Sequence, residues 1–282
     1  MPHTPLPLGL SLQFFKGYEP GFDLDVHPAM LARHGFRAVE VPPIESPLLA
    51  DEASLRHVRS AFDGVGVRIW SVHAPFGPEV DLSSPDAAVR DRALSRILAS
   101  LEKLRVLGGR CLIVHPSAEP IEDAERGARL ARSIESIRHL ADEVSPEEEA
   151  VLALEILPRS CLAHDSAEML ELIEPFDPRV VGICLDVNHA NLREDIVAAT
   201  RRLGPRLVTT HVSDNDGVDE RHWLPGQGVI PWQAWVAALA NAGYGGPLVY
   251  EFSCPKISDP PGPMEDMLAA LAANAAELLR PQ

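Results

Sequence analysis

The 282-residue sequence has few cysteines and no long hydrophobic run. Its four cysteines form no CxxC pair, so reduced thiols, typical of the cytoplasm, are expected rather than a disulfide framework. No apolar run approaches the roughly 18 residues that a membrane helix requires. The first residues also lack the basic start and the cleavage site of a signal peptide. We therefore expect a cytoplasmic protein with no membrane partner.

Basic residues are scarce compared with acidic ones. The 25 Lys and Arg against 41 Asp and Glu give a formal net charge of −16. Binding to a phosphate backbone usually depends on a dense basic face, so this acidity argues against a nucleic-acid partner, although a local patch can override net charge. The sequence also contains no GxGxxG or GxxxxGKS/T turn. We therefore expect no nucleotide cofactor.

The sequence does contain a regular alternation of short apolar runs and longer amphipathic stretches. The runs are almost continuously apolar, as expected for parallel strands buried on both faces. Eight strand–helix units in 282 residues, about 35 residues each, match a (β/α)8 barrel. A doubly wound open sheet is the alternative, but it normally carries a Gly-rich nucleotide turn after the first strand. We predict an α/β fold, a (β/α)8 TIM barrel forming a single domain over residues 1–282.

The predicted elements are as follows. The strands cover residues 7–14, 37–42, 67–73, 110–115, 150–156, 180–186, 206–212 and 247–252. The helices cover about 25–34, 51–63, 85–107, 121–144, 165–175, 191–203, 231–242 and 262–279.

Polar residues stand at the carboxyl ends of the predicted strands, where such a barrel builds its active site. Six of the eight strands end in His, Asp or Glu at the end of an apolar run. One such residue alone could simply meet solvent, but six at one end of a barrel indicate a functional site. Carboxylates at that density repel one another, so cations are their natural complement. These strand-end residues are His73, His115, Glu155, Asp186, His211 and Glu251.

The three strand-end carboxylates and one of the three strand-end imidazoles predict a divalent-metal site. This mixture of oxygen and nitrogen ligands suits Mn²⁺, Mg²⁺, Co²⁺ or Zn²⁺. The predicted ligands are Glu155, Asp186, His211 and Glu251. Further histidines are expected either to bind additional ions or to orient the ligands and the substrate. These are His73, His115, His189 and His222.

Seven motifs carry a resemblance to a known family. They are HAPFG at 73–77, VHP at 114–116, LALE at 152–155, CLDVNHAN at 184–191, HVSDNDG at 211–217, RHWLPGQG at 221–228 and VYEF at 249–252. In order and spacing they resemble the xylose-isomerase-like TIM barrels, the superfamily of sugar (phosphate) isomerases and epimerases that also contains endonuclease IV. The motifs span nearly the whole chain, so the resemblance is specific for the fold, whereas this barrel hosts several chemistries.

The resemblance implies a divalent-metal-dependent isomerase or epimerase of a small sugar, sugar phosphate or related polyol ketone. Glu155 and Glu251 would bind the ion and also act as catalytic acid and base, moving a proton α to a carbonyl through a cis-enediolate. His189 matches a histidine that contacts substrate hydroxyls, and His222 a position used for substrate or for an extra metal. A metal-dependent dehydratase or lyase would use the same proton abstraction and stays an alternative, as does a non-catalytic sugar-binding protein.

The endonuclease IV branch implies a further alternative, a zinc phosphodiesterase acting on DNA with three ions. Two differences count against it. Glu220 stands where that branch has Asp, and Ile156 follows the strand-5 glutamate where that branch has Asn. The nine matching positions are His73, His115, Glu155, Asp186, His189, His211, Glu220, His222 and Glu251.

Two of the three lysines, Lys16 and Lys256, follow the first and the eighth strand, which are neighbours where the barrel closes. With Arg159 and Arg221 on nearby loops, they predict an anion site for a substrate phosphate or carboxylate, since phosphate sites in this fold often lie around strands 7 and 8. The alternative is that they are ordinary surface residues. We expect a small carbohydrate-like substrate as the partner, and the sequence leaves the oligomeric state open.

Overall fold

A computed structural model describes residues 6–16, 18, 21–43, 46–252 and 263–280. In these residues eight parallel strands form a closed barrel in chain order, and the first strand pairs with the last. The predicted (β/α)8 TIM barrel is confirmed. The strands are β1 (Leu8–Ser11), β2 (Phe36–Val41), β3 (Arg68–His73), β4 (Cys111–Val114), β5 (Val151–Glu155), β6 (Val181–Asp186), β7 (Leu207–Val212) and β8 (Leu248–Tyr250).

Burial explains why the strand sequences are so continuously apolar. Every residue of β4, β5 and β6 is buried, because helices cover the outside of the barrel and side chains fill its inside. The main core lies between the strands and the helices. A smaller cluster lies apart from it and consists of Cys111, Ile113, Ala153 and Cys184.

Helices follow every strand of the barrel. Several begin at an aspartate whose side chain accepts a hydrogen bond from a backbone N–H of the first turn, as Asp51, Asp86 and Asp195 do. None of the described helices is both long and apolar enough to cross a membrane. The helices are α1 (His27–Arg33), α2 (Glu52–Asp63), α3 (Ala87–Leu107), α4 (Arg126–Ala141), α5 (Ser166–Ile173), α6 (Val187–Asn191), α7 (Ile196–Leu203), α8 (Trp232–Asn241) and α9 (Met264–Leu278).

Several predicted boundaries differ from the structure, among them the start of the fourth helix, predicted at residue 121 and observed at Arg126. The first strand was predicted over residues 7–14, but β1 ends at Ser11 and a 3₁₀-helix over Leu12–Phe15 follows, burying Phe14 and Phe15. An apolar run cannot by itself distinguish a strand from such a buried turn. The predicted helix 191–203 is divided, because Asp195 caps a new helix that begins at Ile196, after the short α6.

Candidate active site

Four strands bring the predicted metal ligands to one rim of the barrel. Glu155 ends β5, Asp186 ends β6, His211 lies near the end of β7 and Glu251 directly follows β8. Asp186 and His211 are direct partners in the register between β6 and β7. Parallel strands end at the same edge, so these side chains converge, and one ligand atom from each lies within 4.8 Å of the others. We call these four residues the central group.

The imidazole of His211 lies among the three carboxylates of the central group. Its Nδ1 atom is 3.0 Å from Glu251 Oε2, 3.2 Å from Glu155 Oε1 and 4.0 Å from Asp186 Oδ2. The side chains of His211, Glu155 and Asp186 are almost completely buried, whereas that of Glu251 is 14% exposed. Three acidic groups therefore surround a single nitrogen in a region that is largely shielded from water.

The donor atoms of the central group fit a divalent cation. The buried Asp186 Oδ2 accepts no hydrogen bond from a described residue, and the buried Glu155 Oε2 contacts His73 and His115 without a well-directed hydrogen bond. Buried carboxylate oxygens without partners are costly, and a cation would satisfy them. Three carboxylates and one imidazole are the ligands that Mn²⁺, Mg²⁺, Co²⁺ and Zn²⁺ share.

The carboxylates of the central group differ in pKa. Burial acts to raise the pKa of Glu251, but the neighbouring His211 outweighs it and lowers this pKa to about 2. The pKa of Glu155 also lies well below its usual value, because His115 and His211 outweigh the effect of burial. Burial dominates at Asp186 and raises its pKa to about 7. Both glutamates are therefore ionised at neutral pH, which is the form that a base requires.

Two further groups of possible ligands flank the central group. In the first, His73 Nε2 and His115 Nε2 lie 3.3 Å and 2.9 Å from Glu155 Oε2. In the second, His189 Nε2 and His222 Nε2 each lie 4.0 Å from Glu220 Oε2. Within each group one ligand atom per residue lies within 4.8 Å of the others. The structure thus brings all nine predicted positions into three groups, two of which share Glu155.

The flanking histidines also differ in pKa. Burial lowers the pKa of His115 and that of His222, so both are neutral imidazoles, the form that binds metal ions. At His73 burial acts in the same direction, but the adjacent Glu155 outweighs it and raises the pKa to about 9. The first flanking group therefore combines one neutral and one protonated imidazole around the same carboxylate oxygen.

The central and flanking groups open onto one large cavity. Its volume is about 1010 Å³, and Glu155, His189, Glu251 and Phe76 are among the residues that line it. Small-molecule sites typically occupy 300–1,000 Å³, so this cavity has room for a monosaccharide next to the acidic groups. Phe76, which is 52% exposed, stacks on the His115 ring at 4.4 Å and gives the cavity an apolar edge.

A family model described as a xylose isomerase-like TIM barrel matches residues 28–274. The chain belongs to this family. Its relatives include the D-psicose 3-epimerase of Ruminiclostridium cellulolyticum, 29% identical over 228 residues, which are 78% of this chain and 75% of that protein. Another is the D-psicose 3-epimerase of Agrobacterium fabrum, 27% identical over 78% of this chain and 76% of that one.

Solved structures of sugar epimerases superpose on this chain. The D-psicose 3-epimerase from Clostridium cellulolyticum H10, determined with D-tagatose, matches with a TM-score of 0.80 and 26% identity, over 96% of this chain and 97% of that one. A structure of L-ribulose 3-epimerase matches with a TM-score of 0.78 over 96% and 92% of the two chains; at 22% identity it shows the fold alone.

The residues predicted to bind an anion differ in whether they line the cavity and in whether they are paired with an acid. Lys16 lines the cavity and forms no ion pair with another described residue. Arg159 also lines it, but its guanidinium is bound to Glu119 and to Glu220, 2.6 Å away. Arg221 is paired with Asp216 at 2.8 Å and does not line the cavity. Lys256 lies outside the described residues.

Two buried acids beside the site were assigned no role from the sequence. Glu40, the fifth residue of the strand segment FRAVEV, is completely buried in β2, and its Oε2 lies 2.9 Å from His211 Nε2. Asp214, just after β7, is completely buried as well. A sequence signal could have identified Glu40: it is an acidic residue inside a strand that is predicted to be buried on both faces. An acidic side chain in such a place requires a specific partner.

Asp214 organises the loop that carries Glu220 and His222. Its carboxylate accepts hydrogen bonds from the backbone N–H groups of Gly226 at 2.8 Å and Gly228 at 3.0 Å, and from the indole of Trp232 at 2.9 Å. Its own backbone pairs in both directions with Trp223. One buried carboxylate thus connects the start of the loop to residues 226–232 near its end. These bonds keep Glu220 and His222, the loop residues of the second flanking group, next to the rim.

We predict that Asp214→Ala destabilises this loop. Each buried donor left without an acceptor costs about 1–3 kcal/mol, so the loss in free energy of unfolding should reach about 3 kcal/mol or more. Urea denaturation measures it, and limited proteolysis should show new cleavage within residues 216–229. The control is Asp216→Ala, which removes a partly exposed acid from the same loop. Equal stability of the two variants would contradict the role of Asp214.

Proposed function

We propose that this protein is a divalent-cation-dependent epimerase or isomerase of a small sugar or related polyol ketone. The observation that carries the proposal is the pair of ionised glutamates, Glu155 and Glu251, which share the central group with His211 and line a cavity of monosaccharide size. The likeness to D-psicose 3-epimerases over about three quarters of the chain supports the same class of reaction.

The mechanism assigns the proton transfer to the two glutamates. A divalent cation held by the central group would polarise the carbonyl and hydroxyl oxygens of the substrate and stabilise a cis-enediolate. Epimerisation inverts one carbon, so it requires a base on one face of the planar enediolate and an acid on the other. Glu155 and Glu251 supply two carboxylates, one oxygen of each lying within 4.8 Å of the other. One removes the proton and the other returns it.

We assign the orientation of the substrate to His189 and Lys16. The Nδ1–H of His189 donates to the backbone carbonyl of Ile156 at 2.9 Å, which fixes the ring and leaves Nε2 for a substrate hydroxyl. Lys16 lines the same cavity without an ion pair to a described residue, so it is the cation we assign to an anionic or electron-rich end of the substrate.

The decisive test is solvent-deuterium incorporation into ketoses such as D-psicose, D-tagatose and L-ribulose, with epimer formation followed on the same samples. Glu155→Gln and Glu251→Gln should each reduce exchange by about 10²–10⁴-fold, because an amide cannot accept the proton. The matched control is Glu79→Gln, an exposed glutamate paired with Arg92 outside the cavity. Bound cation is measured for every variant, so that loss of the ion is distinguished from loss of the base.

Three outcomes contradict parts of this proposal. Exchange that persists in both glutamine variants with the cation bound would exclude the two-glutamate mechanism. Exchange accompanied by a dehydrated product would favour the dehydratase or lyase alternative. Binding of ketoses without exchange in the wild type would favour a non-catalytic sugar-binding protein.

The second candidate function is a zinc phosphodiesterase acting on DNA. The flanking groups favour it, since they provide ligands for two more ions beside the central one. Two observations count against it: the formal net charge of −16, and the ion pair of Arg159 with Glu220, which already neutralises an acid of the second flanking group. We therefore propose a single essential cation in the central group.

Metal analysis of protein purified without added metal separates the two functions. We expect about one ion per chain, retained in His115→Asn and lost in Asp186→Asn, because only Asp186 belongs to the central group. Chelation should abolish deuterium exchange, and one added equivalent of Mn²⁺ or Co²⁺ should restore it. Three tightly bound zinc ions, together with cleavage of a duplex that contains an abasic site, would establish the phosphodiesterase instead.

We also propose a cytoplasmic location. Cys111, Cys161 and Cys184 are buried free thiols, as is usual where thiols are kept reduced. The fourth cysteine, Cys254, lies outside the described residues. Fractionation of cells expressing the native chain tests the location, and recovery of the protein outside the cytoplasm would contradict it.

A further inference from the structure

We propose that Glu40 is a positioning residue that fixes the tautomer and orientation of His211 for cation binding. The inference rests on the proposed function in one respect, because both require a cation in the central group. Glu40 is not one of the four predicted ligands, and it lies on the far side of the His211 ring from them.

The two nitrogens of His211 face different partners. Nδ1 points to the central group, 3.0 Å from Glu251 and 3.2 Å from Glu155. Nε2 points the opposite way, 2.9 Å from Glu40 Oε2. The same oxygen of Glu40 accepts a hydrogen bond from the Ser71 hydroxyl at 2.8 Å. Glu40 is therefore fixed by a donor on β3 and in turn fixes a ring on β7.

This arrangement determines which nitrogen of His211 can bind a cation. Oε2 of Glu40 already accepts from the Ser71 hydroxyl, so it acts as the acceptor toward His211 Nε2 as well, and Nε2 carries the hydrogen. When a cation displaces the hydrogen of Nδ1, the lone pair of the ring lies on Nδ1, among the oxygens of the central group. Ligating histidines commonly donate their other N–H to a carboxylate, which fixes the tautomer and makes the ring a better ligand.

The burial of Glu40 indicates that its role is not simply structural. The residue is completely buried, and its second oxygen, Oε1, has no hydrogen-bond partner among the described residues. Taking a carboxylate out of water without satisfying both oxygens is costly, and an apolar residue between Val39 and Val41 would avoid that cost. What the carboxylate supplies, and an apolar residue cannot, is an acceptor for His211 Nε2–H.

The test measures cation binding rather than catalysis. Mn²⁺ is titrated calorimetrically into three full-length, metal-free proteins. These are the wild type and the variants Glu40→Gln and Glu40→Leu. We expect Glu40→Leu to raise the dissociation constant about 10–100-fold, the usual effect of removing such a partner. Glu40→Gln should raise it less, because its amide oxygen still accepts from Nε2–H. The matched control is Asp81→Asn, a buried acid paired with Arg129 and Ser83, which should bind Mn²⁺ as the wild type does.

A second measurement keeps the proposal testable if Glu40→Leu does not fold. In ¹⁵N-histidine NMR of the wild type loaded with Zn²⁺, His211 should carry its hydrogen on Nε2 and bind zinc through Nδ1. Binding through Nε2 would overturn the proposal, as would an unchanged Mn²⁺ dissociation constant in folded Glu40 variants. A wild type that binds no divalent cation would instead overturn the proposed function.

Discussion

The interaction on which the site depends is the contact of His211 with carboxylates on both sides of its ring. Nδ1 faces three acids of the central group and Nε2 faces Glu40, so four buried or partly buried carboxylates share one imidazole. Such a cluster is stable only if further positive charge offsets the repulsion between the acids. The raised pKa values of His211 and the neighbouring His73 supply part of it, and a divalent cation that displaces the Nδ1 hydrogen of His211 would supply the rest.

The barrel explains how residues so far apart in the chain reach one imidazole. The acids come from β2, β5, β6 and the residue after β8, and each of these strands runs in the same direction. Parallel strands end at one rim, where buried walls keep water away and strengthen electrostatic interactions. Outside this rim, the loop closed by Asp214 adds Glu220 and His222. The site thus consists of residues at the ends of the barrel strands and of residues on one loop that is held by the hydrogen bonds of Asp214.

Much of this could be predicted from the sequence, because strand ends are local signals. Apolar runs located all eight strands, and the polar residue at the end of a run pointed to a candidate ligand such as Glu155 or Asp186. Glu40 was missed because it lies within a run, and only the three-dimensional register between β2, β3 and β7 gives it partners. The sequence shows the charge of Arg159 but not its pairing with Glu119 and Glu220. Pairings between loops depend on tertiary packing that no local pattern encodes.

The central claim is that the four residues of the central group hold one divalent cation through His211 Nδ1. Anomalous diffraction from crystals of the Mn²⁺-loaded protein tests it most directly. The account predicts one strong peak within bonding distance of Glu155, Asp186, His211 Nδ1 and Glu251. A peak confined to one of the flanking groups, or no peak at the central group at saturating Mn²⁺, would contradict it.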